Sequence, residues 1–95
     1  MNIEDFIWLP DIIEKIDVKH HVTQDEAEYA FYNRPRCRFV EKGHRAGEDV
    51  YSVSGQTDSG RYLIVFFIYK PSAHTALILS ARDMDKKERR NYERK

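Results

Sequence analysis

The chain has 95 residues, 41% hydrophobic and 34% charged, which is enough for one core and not two, so a single domain over 1–95 is expected. Its one cysteine, Cys37, excludes an internal disulfide, and it and the four histidines do not supply the spaced Cys and His pairs of a four-ligand structural zinc site; the acidic start "MNIEDF" and an apolar run no longer than Tyr62–Tyr69 argue against a signal peptide or a membrane span of roughly 20 residues, so a cytoplasmic protein is expected. The net charge is zero, yet residues 1–33 carry two basic and eight acidic side chains while residues 34–95 carry fourteen and eight, a split that either makes a basic face or is neutralised across the fold.

Pro10 suits the first turn of a helix, with Trp8 and Leu9 leading in and Ile13, Ile16 and His20 on one face. Thr23 with Glu26 three residues on predicts a capping box, and Val22 can pack back on Ala27, so a second helix starts there. It buries Ala27, Ala30 and Phe31 and has to stop near Arg34, because the residue before a proline avoids helical geometry. From Arg36 the period changes to two: Arg36, Arg38 and Val40 alternate with Cys37, Phe39 and Glu41, the pattern of an edge strand with one wet face. "GHRAGE" reads as a loop, "DVYSVSG" as a second strand and "QTDSG" as its hairpin turn. "RYLIVFFIY" is apolar on both faces and predicts a central strand covered on both sides. "KPSAH" turns the chain, "TALILSAR" is a fourth strand, and Asp83 or Asp85 caps a short last helix whose only apolar holds are Met84 and Tyr92. Asp85 with Glu88 resembles a second capping box. The predicted class is α+β: two N-terminal helices, a four-stranded, mainly antiparallel meander sheet and one C-terminal helix.

Several residues are candidates for chemistry. His20 and His21 end the first helix, where a histidine either caps carbonyls and packs, or titrates near neutrality as an acid/base group. His44 and His74 fall in loops, and no spacing pairs them with Glu48 or Asp49 as metal ligands. Arg82 closes a strand of apolar and small residues just before a helix start, where it can grip an anion through two N–H groups; the plain alternative is a salt bridge to Asp83, Glu88 or Glu48. Arg89 and Arg90 point about 100° apart on a helix, so at most one faces the sheet. Arg36, Arg38, Arg61, Arg82, Arg89 and Arg90, interleaved with Tyr51, Tyr62 and Tyr92, suit single-stranded nucleic acid, where cations follow phosphates and rings stack on bases. No phosphate loop, dinucleotide fingerprint, nucleophile elbow or Cys–His pair is present, so no cofactor is expected, and no helix has the pattern of a base-reading recognition helix.

Together these residues resemble a known family. Trp8 and Pro10, then "KHHV" and "DEAEYAF", Glu48 ahead of a strand, "GR" at Gly60 and Arg61, and "SARDMDKKERRNYE" at the end look like the BrnT-type toxin family over nearly the whole chain. The closing Ser-Ala-Arg, then Glu-Arg-Arg and Tyr, is the most specific part; His21 stands where the family usually has Gly.

The resemblance implies a ribonuclease toxin of a type II toxin–antitoxin pair with a RelE-like fold. It also implies a BrnA-like ribbon-helix-helix antitoxin as partner, through which alone the complex would bind DNA. RelE-like nucleases use no metal: the RNA 2′-hydroxyl attacks the neighbouring phosphate, leaving a 2′,3′-cyclic phosphate and a 5′-hydroxyl. By that resemblance Arg82 and Arg61 are expected to stabilise the phosphorane, His20 to act as acid or base with Glu48 or Tyr92 as the other proton carrier, and Lys19, Arg36, Arg38, Arg89 and Arg90 to hold the RNA backbone. The alternative is a binding module without catalysis that completes a repressor complex with the antitoxin. A catalytic arginine should not tolerate lysine, whereas a charge patch should.

Overall fold

The computed structural model describes residues 1–94 of the expected 1–95 domain, and Lys95 lies outside the described residues. In chain order the elements are β1 (Asp5–Ile7), α1 (Pro10–His20), α2 (Gln24–Ala30), β2 (Arg36–Glu41), β3 (Val50–Gln56), β4 (Tyr62–Lys70), a 3₁₀ turn (Pro71–Ala73), β5 (Thr75–Asp83) and α3 (Lys86–Glu93). The strands form one five-stranded sheet in the order β1-β5-β4-β3-β2.

The local signals act as expected at the starts of α2 and α3. The Thr23 hydroxyl accepts from the Glu26 N–H at 3.1 Å while Glu26 accepts from the Thr23 N–H at 3.0 Å. Asp85 and Glu88 exchange the same pair of bonds at the start of α3. Each box satisfies two donors that a helix N-terminus leaves without intrahelical partners.

The expected four-stranded meander is corrected in one respect. Asp5–Ile7 is a fifth strand, parallel to β5, which makes the sheet mixed and puts a strand ahead of the two helices. Three residues are too few to show an alternation, and β1 exists because its partner strand is there. It is pinned by Phe6, opposite Ala76 in the ladder and edge-on to Phe31 at 5.0 Å.

One face of the sheet carries the core. Val53, Leu63, Val65, Phe67, Ala76, Ile78 and Ala81 meet Ile16 of α1, Val22 between the helices, and Ala27, Ala30 and Phe31 of α2. The α2–sheet contact is so close at Gly55 that a Cβ there would lie 2.1 Å from the Ala30 carbonyl oxygen, so only glycine fits. β4 is central, as its apolar run predicts, but its second face is covered only at one end. The reason is length. α3 has eight residues and spans about 12 Å, whereas the nine residues of β4 span about 30 Å. Phe66 and Ile68 are left half-buried on a face that is otherwise open.

Candidate active site on the open face of the sheet

Residues opposite one another in a ladder project from the same face. Pairing aligns Arg36, Ser54, Ile64 and Arg82 in one row across β2, β3, β4 and β5, and Arg38, Ser52, Phe66 and Ser80 in the next. The row between them, Cys37, Val53, Val65 and Ala81, points to the helices. Strand alternation therefore places three arginines on the open face. With α3 as a wall, these rows enclose a groove of about 580 Å³, lined by Arg36, Arg38, Ile64, Phe66, Glu88 and Tyr92 among others.

Arg82 is the most tightly placed of the three. Its Nη1 and Nη2 donate to Glu88 Oε1 and Oε2 at 2.7 and 2.9 Å, Nη1 also reaches the Asp83 carbonyl at 3.1 Å, and the guanidinium lies 5.6 Å from the Phe66 ring centre. Of the partners considered for Arg82, the side chain it meets is Glu88. The hydrogen bonds from Arg82 hold the Glu88 carboxylate below its ordinary range, and the same contact raises the Arg82 guanidinium. Both are charged at neutral pH.

Arg36 and Arg38 are exposed and form no ion pair among the described residues; Arg36 sits 5.6 Å over the Tyr92 ring. Of the four ion pairs among the described residues, only Arg61–Glu26 joins the acidic N-terminal third to the basic remainder. The charge split is thus mostly left on the surface, and the open face is its basic side.

Tyr92 is buried, and its hydroxyl donates to the Arg34 carbonyl at 2.8 Å, which ties α3 to the α2–β2 connection; burial pushes its pKa up. Arg34 itself has φ 55°, a left-handed conformation in the α2–β2 connection. Arg89 is the one of its pair that turns to the sheet, with its guanidinium 4.0 Å over the Tyr62 ring; Arg90 is exposed.

The other expected site residues lie elsewhere. Arg61 is on the helix side of the sheet end. It donates to Asp83 through Nε at 2.7 Å and Nη2 at 3.1 Å, and to the His21 and His20 carbonyls at 2.6 and 2.7 Å, with Glu26 3.3 Å away. Asp83 is held low by Arg61 first, with smaller contributions from His20 and His21. Arg61 thus clamps the end of α1 and the start of α2 to β5, with its donors engaged. His20 stands beside that clamp, on the opposite face from Arg82, because Asp83 pairs with Leu63 on the core side while Arg82 pairs with Ile64 on the open side. Lys19, exposed near the end of α1, shares that side. Glu48 lies in the β2–β3 loop, beyond the end of β3 remote from α3; it is four residues before Ser52, the first groove residue of that strand, or roughly 13 Å, and does not line the groove. The geometry brings together Arg36, Arg38 and Tyr92 in the groove, with Arg82 on the same face against Glu88 and Phe66; Arg89 lines a second pocket with Arg61 and Asp83, and His20, Lys19 and Glu48 lie apart from the groove.

His21 has φ 54° and ψ 41°, closing α1 in the left-handed region with its N–H on the Asp17 carbonyl. That conformation is what glycine supplies without strain. The sequence reading missed Glu88 and Asn91 as groove residues. A signal was present: Glu88, Asn91 and Tyr92 are spaced i, i+3, i+4 and share one face of α3.

No match was found among curated proteins. A family model described as ribonuclease toxin, BrnT, of type II toxin–antitoxin system matches residues 13–88. The match takes in most of α1, all of α2 and β2–β5, and Glu88, but stops short of Arg89, Arg90 and Tyr92. Over that span, which carries Arg36, Arg38 and Arg82 as well as the Arg61 clamp, the chain belongs to the BrnT family of ribonuclease toxins of type II toxin–antitoxin systems.

Proposed function

We propose that the chain cuts single-stranded RNA in the groove on the open face, without a metal ion, by attack of a 2′-hydroxyl on the adjacent phosphate. The observation that carries this proposal is Arg82: a guanidinium in bidentate contact with Glu88 and 5.6 Å from the Phe66 ring, two residues that line the groove, whose own cations, Arg36 and Arg38, have no acidic partner among the described residues. A guanidinium fork matches two oxygens of a phosphorane, and its fixed orientation stabilises charge that develops only in the transition state. Arg36 and Arg38 follow the neighbouring phosphates, with Arg89 and Arg90 of α3 beyond them, while Phe66 and Tyr92 offer rings against which bases can rest. A groove of about 580 Å³ between β2 and α3 suits one flexible strand better than a duplex.

Among the expected proton carriers, only Tyr92 lines the groove. Membership of a type II system implies an antitoxin partner. We assign it a BrnA-like ribbon-helix-helix protein that covers the same arginines, neutralises the toxin and supplies the contacts to DNA.

The purified chain should cut an RNA oligonucleotide in excess EDTA and leave 5′-hydroxyl and 2′,3′-cyclic phosphate ends. Arg82→Lys keeps the charge but loses the fork, so cleavage should fall at least tenfold, about 1.4 kcal/mol, with little change in Tm. Activity that disappears with EDTA and returns with magnesium would refute the mechanism, and full activity in Arg82→Lys would turn the groove back into a binding surface.

A further inference from the structure

Taking the groove as the cleavage site, as proposed above, we infer that Glu88 is the base that accepts the 2′-hydroxyl proton, and that Arg82 restrains it until an RNA phosphate takes over the guanidinium. Among the described residues, Glu88 is the one acidic residue lining the groove. Its two oxygens are held differently. Oε1 accepts from Arg82 at 2.7 Å and also from the Asp85 backbone N–H at 2.9 Å, the capping-box bond of α3. Oε2 has Arg82 as its partner, at 2.9 Å.

A phosphodiester offers Arg82 the same two-oxygen geometry that the carboxylate does. When the guanidinium turns to the phosphate, the Asp85 N–H still anchors Glu88 through Oε1, and Oε2 is released at the groove wall. A carboxylate bonded to arginine is a weak base, and one that has lost that partner is a stronger base. Binding of the substrate phosphate therefore switches on the base. The surrounding charges do not replace Arg82: Arg36 and Arg38 lie across the groove on β2, Asp85 is occupied capping α3, the Tyr92 hydroxyl is donated to Arg34, and Cys37 is neutral as a thiol. His20 is on the other side of the sheet.

The step balances without a further reagent. The 2′-hydroxyl proton passes to Glu88 Oε2, the 2′-oxygen bonds to phosphorus, and the bond from phosphorus to the 5′-oxygen breaks. The 5′-oxygen takes a proton from water, and Glu88 returns its proton to solvent. Arg82 holds the phosphorane charge throughout.

The test is Glu88→Gln, which keeps an oxygen for the Asp85 N–H but cannot accept the proton. RNA affinity and single-turnover cleavage are measured on the same single-stranded oligonucleotide, in EDTA, across the pH range where the fold is stable. The expected outcome is opposed: cleavage falls by roughly a hundredfold or more, while RNA binds more tightly, because Arg82 no longer has a carboxylate to leave. A residue that only shapes α3 would weaken both together. The acid limb of the rate profile should vanish with the carboxylate. Should Glu88→Gln fail to fold, His20→Ala decides. An acid limb that persists in His20→Ala supports Glu88, and one that vanishes there overturns the inference. Wild-type cleavage in Glu88→Gln overturns it as well and leaves the ribonuclease assignment standing. A wild-type chain that cuts no RNA would instead remove the assignment itself.

Discussion

Arg61→Met should cost stability rather than chemistry. The arginine ties two consecutive carbonyls at the end of α1, at 2.6 and 2.7 Å, to Asp83 at the end of β5 and to Glu26 in the first turn of α2. Methionine fills much of the same volume but offers no donor. Each hydrogen bond from a charged donor contributes about 1.5–3 kcal/mol, but these carbonyls are near the surface and water can reach them once the guanidinium is gone. The Asp83 pair is largely solvated, since that side chain is 60% exposed, and adds at most about 1 kcal/mol. The loss should come to about 2–4 kcal/mol. For a domain of this size each kcal/mol moves Tm by about 4–8 °C, so a fall of roughly 8–32 °C is expected in a circular dichroism melt. Assayed well below the transition, the folded variant should still cleave RNA within a few-fold of wild type, because Arg61 is on the face away from the groove. An unchanged Tm together with lost cleavage would refute the clamp and restore Arg61 to the phosphate.

Three further outcomes follow from the geometry. Binding of single-stranded RNA by an Arg82→Lys chain should weaken steeply with salt, with a slope near −3 in log K against log salt if about four phosphates are contacted at ~0.7 each; a flat dependence would mean the basic residues are internally paired. His21→Gly should raise stability by about 1 kcal/mol in a denaturant titration, since φ 54° strains a histidine and suits glycine; a loss would show that the His21 side chain makes a compensating contact. Acid should unfold the chain in a window set by Glu88 and Asp83, whose carboxyls lie below their ordinary values of 4.5 and 3.8 when folded. Below those ordinary values the unfolded chain binds more protons than the folded one, so Tm should hold from neutrality to about pH 5 and drop as pH falls further, through the lower folded values. The drop should be shallower in Glu88→Gln, and an identical profile in that variant would remove Glu88 from the linkage.

What the sequence determined by itself is local. Pro10, the Thr23–Glu26 and Asp85–Glu88 boxes, the period of two from Arg36 and the apolar run of β4 each act within one or two turns or along a single strand, where backbone geometry leaves few choices. The family, too, was legible, because short motifs such as Ser80-Ala81-Arg82 survive as written text. Tertiary structure decided the rest. β1 needs β5 before its three residues are a strand. The apolar second face of β4 reads as buried, and only the shortness of α3 reveals that it floors a groove. Most of all, the faces of the sheet sorted the candidates. Arg82 and Asp83 are neighbours in sequence, yet strand alternation sends one to the groove with Glu88 and the other to the helix side with Arg61 and His20. Charge and residue type are the same on both sides, so no count of arginines could separate one that faces the groove side from one that holds two helices in place.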